Sequence, residues 1–150
     1  MSNSCTIYSS TDYNEILAYF EDIGFNDVTD SENVKSFQRH YSEGTLRISL
    51  KKRIEQGDNF SKMIGGTWNF VRMIETKNKI QKEGLIRHIL DCKTAIGLVS
   101  EPKYVKDDKR ADYIYKLAEM FDGVIFNGSE MIDKSGKLIL DDEGNSEITN

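Results

Sequence analysis

The sequence is poor in the residues that usually announce a function. Of 150 residues, one is proline, one tryptophan, two are histidine and two cysteine. Cys5 and Cys92 lie far apart, and nothing requires a bridge between them. They read as two reduced thiols. A structural zinc wants four ligands, usually Cys or His. Only His88 and Cys92, at i and i+4, can share a helix face, and their ordinary reading is a half-buried histidine beside a small buried thiol. The expectation is therefore no metal and no cofactor. There is no window of about 18 apolar residues, so no membrane span is expected. Met1-Ser2-Asn3-Ser4 has no charged and then apolar leader, which points to the cytoplasm. With 20 Lys and Arg against 25 Asp and Glu, the net charge is −5 and both signs are interspersed. That offers no broad basic field for phosphate backbones, and nucleic-acid binding is not expected.

Signature loops are also missing. Gly65-Gly66-Thr67 lacks the lysine that a phosphate-binding P-loop needs, and no G-x-G-x-x-G occurs. Asp141-Asp142-Glu143-Gly144-Asn145 has the composition of a calcium loop, but its glycine falls at the fourth position rather than the sixth. Lys51-Lys52-Arg53 is a short basic run. A looser one, Lys103, Lys106, Lys109 and Arg110, is interleaved with Asp107 and Asp108. Both read as solvated faces.

What is present is a pattern of short elements. Thr94-Ala95-Ile96-Gly97-Leu98-Val99 is an apolar run stopped by Ser100-Glu101-Pro102. A helix is predicted from about 108 to 121, with Ala111, Ile114, Tyr115, Ala118 and Phe121 on one stripe. Asp107 or Asp108 suits its N-terminus, and Gly123 a left-handed stop. Val124-Ile125-Phe126 closes a strand–helix–strand unit, whose two strands are expected as parallel neighbours. Leu46, Ile48 and Leu50 alternate with polar residues, so 34–41 and 46–54 read as a hairpin around Ser42-Glu43-Gly44. On its first strand, Phe37, Arg39 and Tyr41 share a side. Ile16, Leu17, Phe20 and Ile23 mark a first helix. Phe60, Ile64, Thr67, Trp68, Val71 and Ile74 mark a second, with a strand at 67–74 as the alternative. Ile80, Leu85 and Ile89 mark a third. A terminal hairpin follows around Asp133-Lys134-Ser135-Gly136.

The run from Ala95 to Pro102, the helix ending before Gly123, and Val124-Ile125-Phe126-Asn127-Gly128 with Asp133-Lys134-Ser135-Gly136-Lys137-Leu138 resemble small bacterial α/β domains of unassigned function. The resemblance covers the C-terminal third to half. It implies strand, helix, strand, hairpin, and a bacterial source. It brings no catalytic residues.

The expected fold is thus α+β (α/β-like). One mixed sheet carries an N-terminal helix, a β-hairpin, two middle helices, a βαβ unit and a terminal hairpin, with helices mainly on one face. A ferredoxin-like arrangement is one version. A single domain is expected, with residues 1–9 as an arm or edge strand and 142–150 as a frayed tail. If the two strands of the unit are neighbours, their C-terminal ends place Ser100, Glu101, Asn127, Ser129 and Glu130 together, where open α/β sheets bind ligands. Trp68 and Arg72 would wall a nearby pocket. Two functions follow. One is a non-enzymatic interaction module with a protein partner, of immunity or regulatory type. The other is a small hydrolase or transferase that uses Glu101 and Glu130 as an acid–base pair.

Overall fold

The structure is a computed structural model that describes residues 3–31, 34–53, 59–105 and 107–148. The chain runs β1 (Asn3–Ser9), α1 (Tyr13–Asp22), β2 (Asn26–Asp27), β3 (Lys35–Tyr41), β4 (Gly44–Lys52), α2 (Asn59–Arg72), α3 (Lys79–Asp91), β5 (Thr94–Glu101), α4 (Lys109–Met120), β6 (Gly123–Phe126), β7 (Glu130–Ile132) and β8 (Leu138–Asp141). The eight strands make one sheet in the order β2-β3-β4-β5-β1-β6-β7-β8. Every ladder in it is antiparallel. The fold is α+β as expected, but the sheet is not mixed.

The expected neighbours β5 and β6 point the same way in the same sheet, yet they do not touch. β1 lies between them. It pairs with β5 from Asn3–Ser100 to Ser9–Thr94 and with β6 from Thr6–Phe126 to Ser9–Gly123. This is a strand–helix–strand crossover split by an antiparallel strand, the unit from which ferredoxin-like folds are built. Of the segment 1–9, expected as an arm or an edge strand, Asn3–Ser9 is instead a central strand. Its chemistry permits this because both faces are served. Cys5 and Ile7 enter one apolar core, and Tyr8 enters another on the opposite face. The Tyr8 hydroxyl meets Thr67 Oγ1 at 2.7 Å. The buried Ser9 hydroxyl donates to the Phe121 carbonyl.

Helices cover both faces rather than one. The first core holds Ile16 and Phe20 of α1, Tyr113, Ile114 and Leu117 of α4, and Leu46, Ile48 and Leu50 of β4. The second holds Phe60, Ile64 and Val71 of α2, Leu85 and Ile89 of α3, and Met131 and Leu140 of the last two strands. Each such side chain contributes about 1.5–3 kcal/mol when fully removed from water. α2 is helical through both glycines, which rules out the strand alternative. Ile54 and the break at Gln56-Gly57-Asp58, expected after β4, lie outside the described residues.

Two helix faces are rotated from the expected stripes. In α4 the buried residues are Arg110, Tyr113, Ile114, Leu117 and Ala118, while Tyr115 is largely exposed. In α3 Gln81 is buried, its side-chain amide donating to the Ile148 carbonyl, and Ile80 is exposed. Asp122, not Gly123, carries the positive φ after α4, at 49°. Gly123 is needed for a different reason: a Cβ there would overlap Ile7 Cγ2 in β1. The tail is ordered through Ile148. Asn145 N–H donates to the Asp141 carboxylate at 2.9 Å, and the Thr76 hydroxyl and Asn78 amide both donate to the Gly144 carbonyl.

Arg110 and Asp108 form the one buried ion pair among the described residues, with side chains 1% exposed. Sequence pattern places Arg110 on a solvated face. Instead its Nε and Nη2 reach the two Asp108 oxygens at 3.1 and 2.8 Å, and Nη1 reaches the carbonyls of Pro102 and Thr45 at 2.6 and 3.1 Å. Asp108 also caps α4 by accepting from Arg110 N–H. Gly44 packs against this junction: an added Cβ would stand 2.6 Å from the Glu101 carbonyl. The Glu43 carboxylate accepts from Lys109 N–H at 3.2 Å, which holds its pKa below the usual range. The 42–44 turn is thereby fastened to the start of α4.

Mutations should report these roles in urea unfolding. Alanine at Gly65 or Gly66, where a Cβ meets nothing within 4 Å, should stabilise by about 0.5–1 kcal/mol each. Alanine at Gly123 should cost about 1–3 kcal/mol through the clash with Ile7. Arg110→Ala should cost about 3–5 kcal/mol, because it strands a buried carboxylate. The hydrogen bonds from Arg110 lower the Asp108 pKa. The stability linked to that shift is complete above the ordinary carboxylate value and lost as pH falls through the lowered one. Acid unfolding should begin only below about pH 4, and Asp108→Asn should flatten that limb.

Candidate functional site

The residues expected to meet at the strand ends do not form one site. Glu101 ends β5 and Glu130 begins β7, and β1 and β6 stand between those strands. Three strand spacings put the two backbones about 14 Å apart. Ser100 is buried. Asn127 is occupied by its own turn: its Oδ1 accepts from the N–H groups of Ser129 and Glu130, and its Nδ2 donates to the Glu130 carboxylate at 3.0 Å. Ser129 is exposed on the same turn. Trp68 and Arg72 do meet, with the guanidinium carbon 5.0 Å from the ring centroid on the outer part of α2.

The histidine and cysteine of α3 are structural. His88 Nε2–H donates to the Tyr8 carbonyl at 2.7 Å. Cys92 is fully buried. Burial pushes the Cys5 thiol up to about 12 and the Cys92 thiol up to about 11. Both are protonated at neutral pH, and a thiol without its thiolate is a poor nucleophile. Among the described residues no group of three or more His, Cys, Asp or Glu is placed to hold a metal. No described helix is long and apolar enough to cross a membrane.

The largest cleft described lies elsewhere, between the end of α1, the β2–β3 edge and the outer side of α4. Its volume is about 470 Å³. Ile23 and Gly24, which lead out of α1, line it together with Phe25, Arg39, Tyr113 and Lys116. Arg39 organises it. Its guanidinium carbon lies 4.6 Å from the Tyr41 ring centroid, 5.3 Å from Phe25 and 5.9 Å from Tyr113. Each such contact is worth roughly 0.5–1 kcal/mol when exposed. Together they hold a cation that has no carboxylate partner among the described residues.

The sequence assembles this clamp locally. Phe37, Arg39 and Tyr41 alternate on one side of β3. Phe37 stacks on Phe20 at 5.6 Å inside the core, so the strand is pinned and Arg39 emerges at the core's rim. Behind it the Tyr19 and Tyr113 hydroxyls share a hydrogen bond of 2.8 Å. Burial raises the Tyr113 pKa strongly, which keeps that hydroxyl neutral. The cleft lining contains no Asp or Glu. An adjoining hollow of about 230 Å³ shares Arg39, Tyr113 and Lys116 and adds Tyr41, Lys109 and Asp112. The Tyr41 hydroxyl beside it is shut from solvent; burial raises its pKa, and the neighbouring Arg39 charge acts in the opposite direction.

Sequence reasoning passed over Arg39, Tyr113 and Lys116. The available signal was an arginine flanked at two residues on either side by aromatics of the same strand face. Comparison with family models, curated proteins and solved structures finds no match for the chain.

A thiol assay checks the electrostatic picture. Both cysteines should resist a neutral-pH alkylating agent in the folded chain and react fully once it is unfolded.

Proposed function

We propose that the chain is a non-enzymatic interaction module of the bacterial cytoplasm, and that it engages a protein partner through the Arg39 cleft. One observation carries the reading. In a chain of net charge −5, the largest cleft described presents arginine and lysine and no carboxylate. Such a reversal of sign concentrates an attractive field in one concavity and repels the rest of an anionic partner's surroundings less there than elsewhere. The groups available are suited to holding: a planar guanidinium, an ammonium, side-chain amides and neutral phenols. The paired-carboxylate enzyme remains the weaker reading, because two strands separate Glu101 from Glu130.

Affinity capture from an extract of the source cell tests it, using the full chain and an Arg39→Glu/Lys116→Glu double variant. The wild type should retain a stoichiometric partner that moderate salt releases, and the double variant should lose it. Equal retention by both would contradict the proposal. So would a hydrolytic or transfer activity abolished by Glu101→Gln or Glu130→Gln.

A further inference from the structure

We infer that the group received by the Arg39 cleft is a carboxylate-bearing stretch of extended polypeptide, an acidic peptide segment rather than a phosphate. The inference rests on the reading of the cleft as the binding site and specifies its ligand.

Three features of the cleft select that chemistry. The first is the fork. Arg39 is held with its guanidinium carbon 4.6 to 5.9 Å from the centroids of the Tyr41, Phe25 and Tyr113 rings, and the paired N–H donors of a guanidinium match the two oxygens of a carboxylate. Lys116 lines the same cleft and supplies a second charge.

The second feature is the wall. α1 ends at Asp22, with Ile23 as its cap and Gly24 turning away at φ 76°. A helix C-terminus carries partial negative charge on its last carbonyls. Phosphate sites favour the opposite end of a helix, where N–H groups converge. Partial negative charge at this end opposes any anion, a dianion most, whereas helix-end carbonyls can accept hydrogen bonds from N–H donors, which a peptide has and a phosphate lacks.

The third feature is the edge. β2 pairs with β3 only at Phe37 and Gln38. Beyond that, Arg39, His40 and Tyr41 pair on one side with Leu46, Thr45 and Gly44 of β4. No described strand pairs with their outer side, which borders the cleft. An extended segment can lie along such an edge with its main chain while its acidic side chains reach Arg39 and Lys116. Ile23, 41% exposed on the cleft wall, offers apolar contact to the segment between its charges.

The test uses the full chain, titrated with three probes and followed by NMR and calorimetry: blocked tetraglutamate, blocked tetraglutamine and inorganic phosphate. Tetraglutamate should bind, and should shift the Arg39 side-chain and Gly24–Tyr41 edge signals. Tetraglutamine and phosphate should not bind at the same concentration. Arg39→Lys, which keeps the charge but not the fork, should weaken tetraglutamate by about tenfold or more, and Lys116→Gln by a similar factor. Both positions are exposed; Lys116→Gln should keep the wild-type unfolding midpoint, and Arg39→Lys, which keeps a cation beside the rings, should stay folded with at most a small drop in it. Phosphate binding in place of the peptide would overturn the inference, as would an Arg39→Lys variant that binds unchanged. If tetraglutamate fails while the double charge reversal still abolishes partner capture, the peptide assignment falls and the binding reading stands. If the double variant captures the partner normally, both fall.

Discussion

The ladder on either side of β1 is the constraint that the rest of the structure obeys. Seven residues near the start of the chain lie in register with β5 on one side, and four of them with β6 on the other. The sheet cannot form its middle until this segment is in place. α4 must then cross over an interposed strand to join β5 to β6. Gly123 is small because Ile7 of that strand presses on it. Ser9 and Thr11 both donate to the Phe121 carbonyl, so the end of α4 is tied back to the strand it crosses.

The place of the cleft follows from the same insertion. Separating β5 from β6 pulls Glu101 away from Glu130 and leaves their turns to satisfy themselves. It also sets α1 and α4 side by side on one face, where Tyr19 and Tyr113 join them. The cleft opens at the far end of that pair, where β2 stops short and β3 runs on. Arg39 is central to that cleft: its guanidinium carbon lies 4.6 to 5.9 Å from three ring centroids, and it has no carboxylate partner among the described residues. The Arg110–Asp108 pair shows the contrast. There a guanidinium is fully spent on one carboxylate and two carbonyls, and it serves only to join α4 to the β3–β4 turn.

Local chemistry was legible in the sequence and long-range chemistry was not. The hairpin 34–52 could be read because Leu46, Ile48 and Leu50 keep strict alternation, and all three are fully buried. α2 could be read through its glycines because Phe60, Ile64, Thr67, Val71 and Ile74 keep the helical interval, and all five are buried. β1 could not. Its serines and threonine look solvent-loving, and the partners that make burial tolerable, such as the Phe121 carbonyl for Ser9, lie over a hundred residues away. Arg110 is illegible for the same reason, since Lys103 and Lys109 near it are exposed and its carbonyl partners, Thr45 and Pro102, belong to other parts of the chain. The polar composition of the tail suggests fraying. Those polar groups are instead engaged, with Asp141 accepting from the N–H groups of Glu143 and Asn145. The Arg39 site sits between these cases: its strand pattern was visible, but its meaning depended on where Phe25 and Tyr113 would stand.

Amide hydrogen exchange of β1 measures the central claim most directly. If this segment is the sheet's interior strand, its amides from Thr6 to Tyr8 should exchange about as slowly as those of Ile48 and Leu98, at rates set by global unfolding. Exchange of those amides at the rate of a loop, while β4 and β5 stay protected, would contradict the interposed strand and, with it, the placement of the cleft.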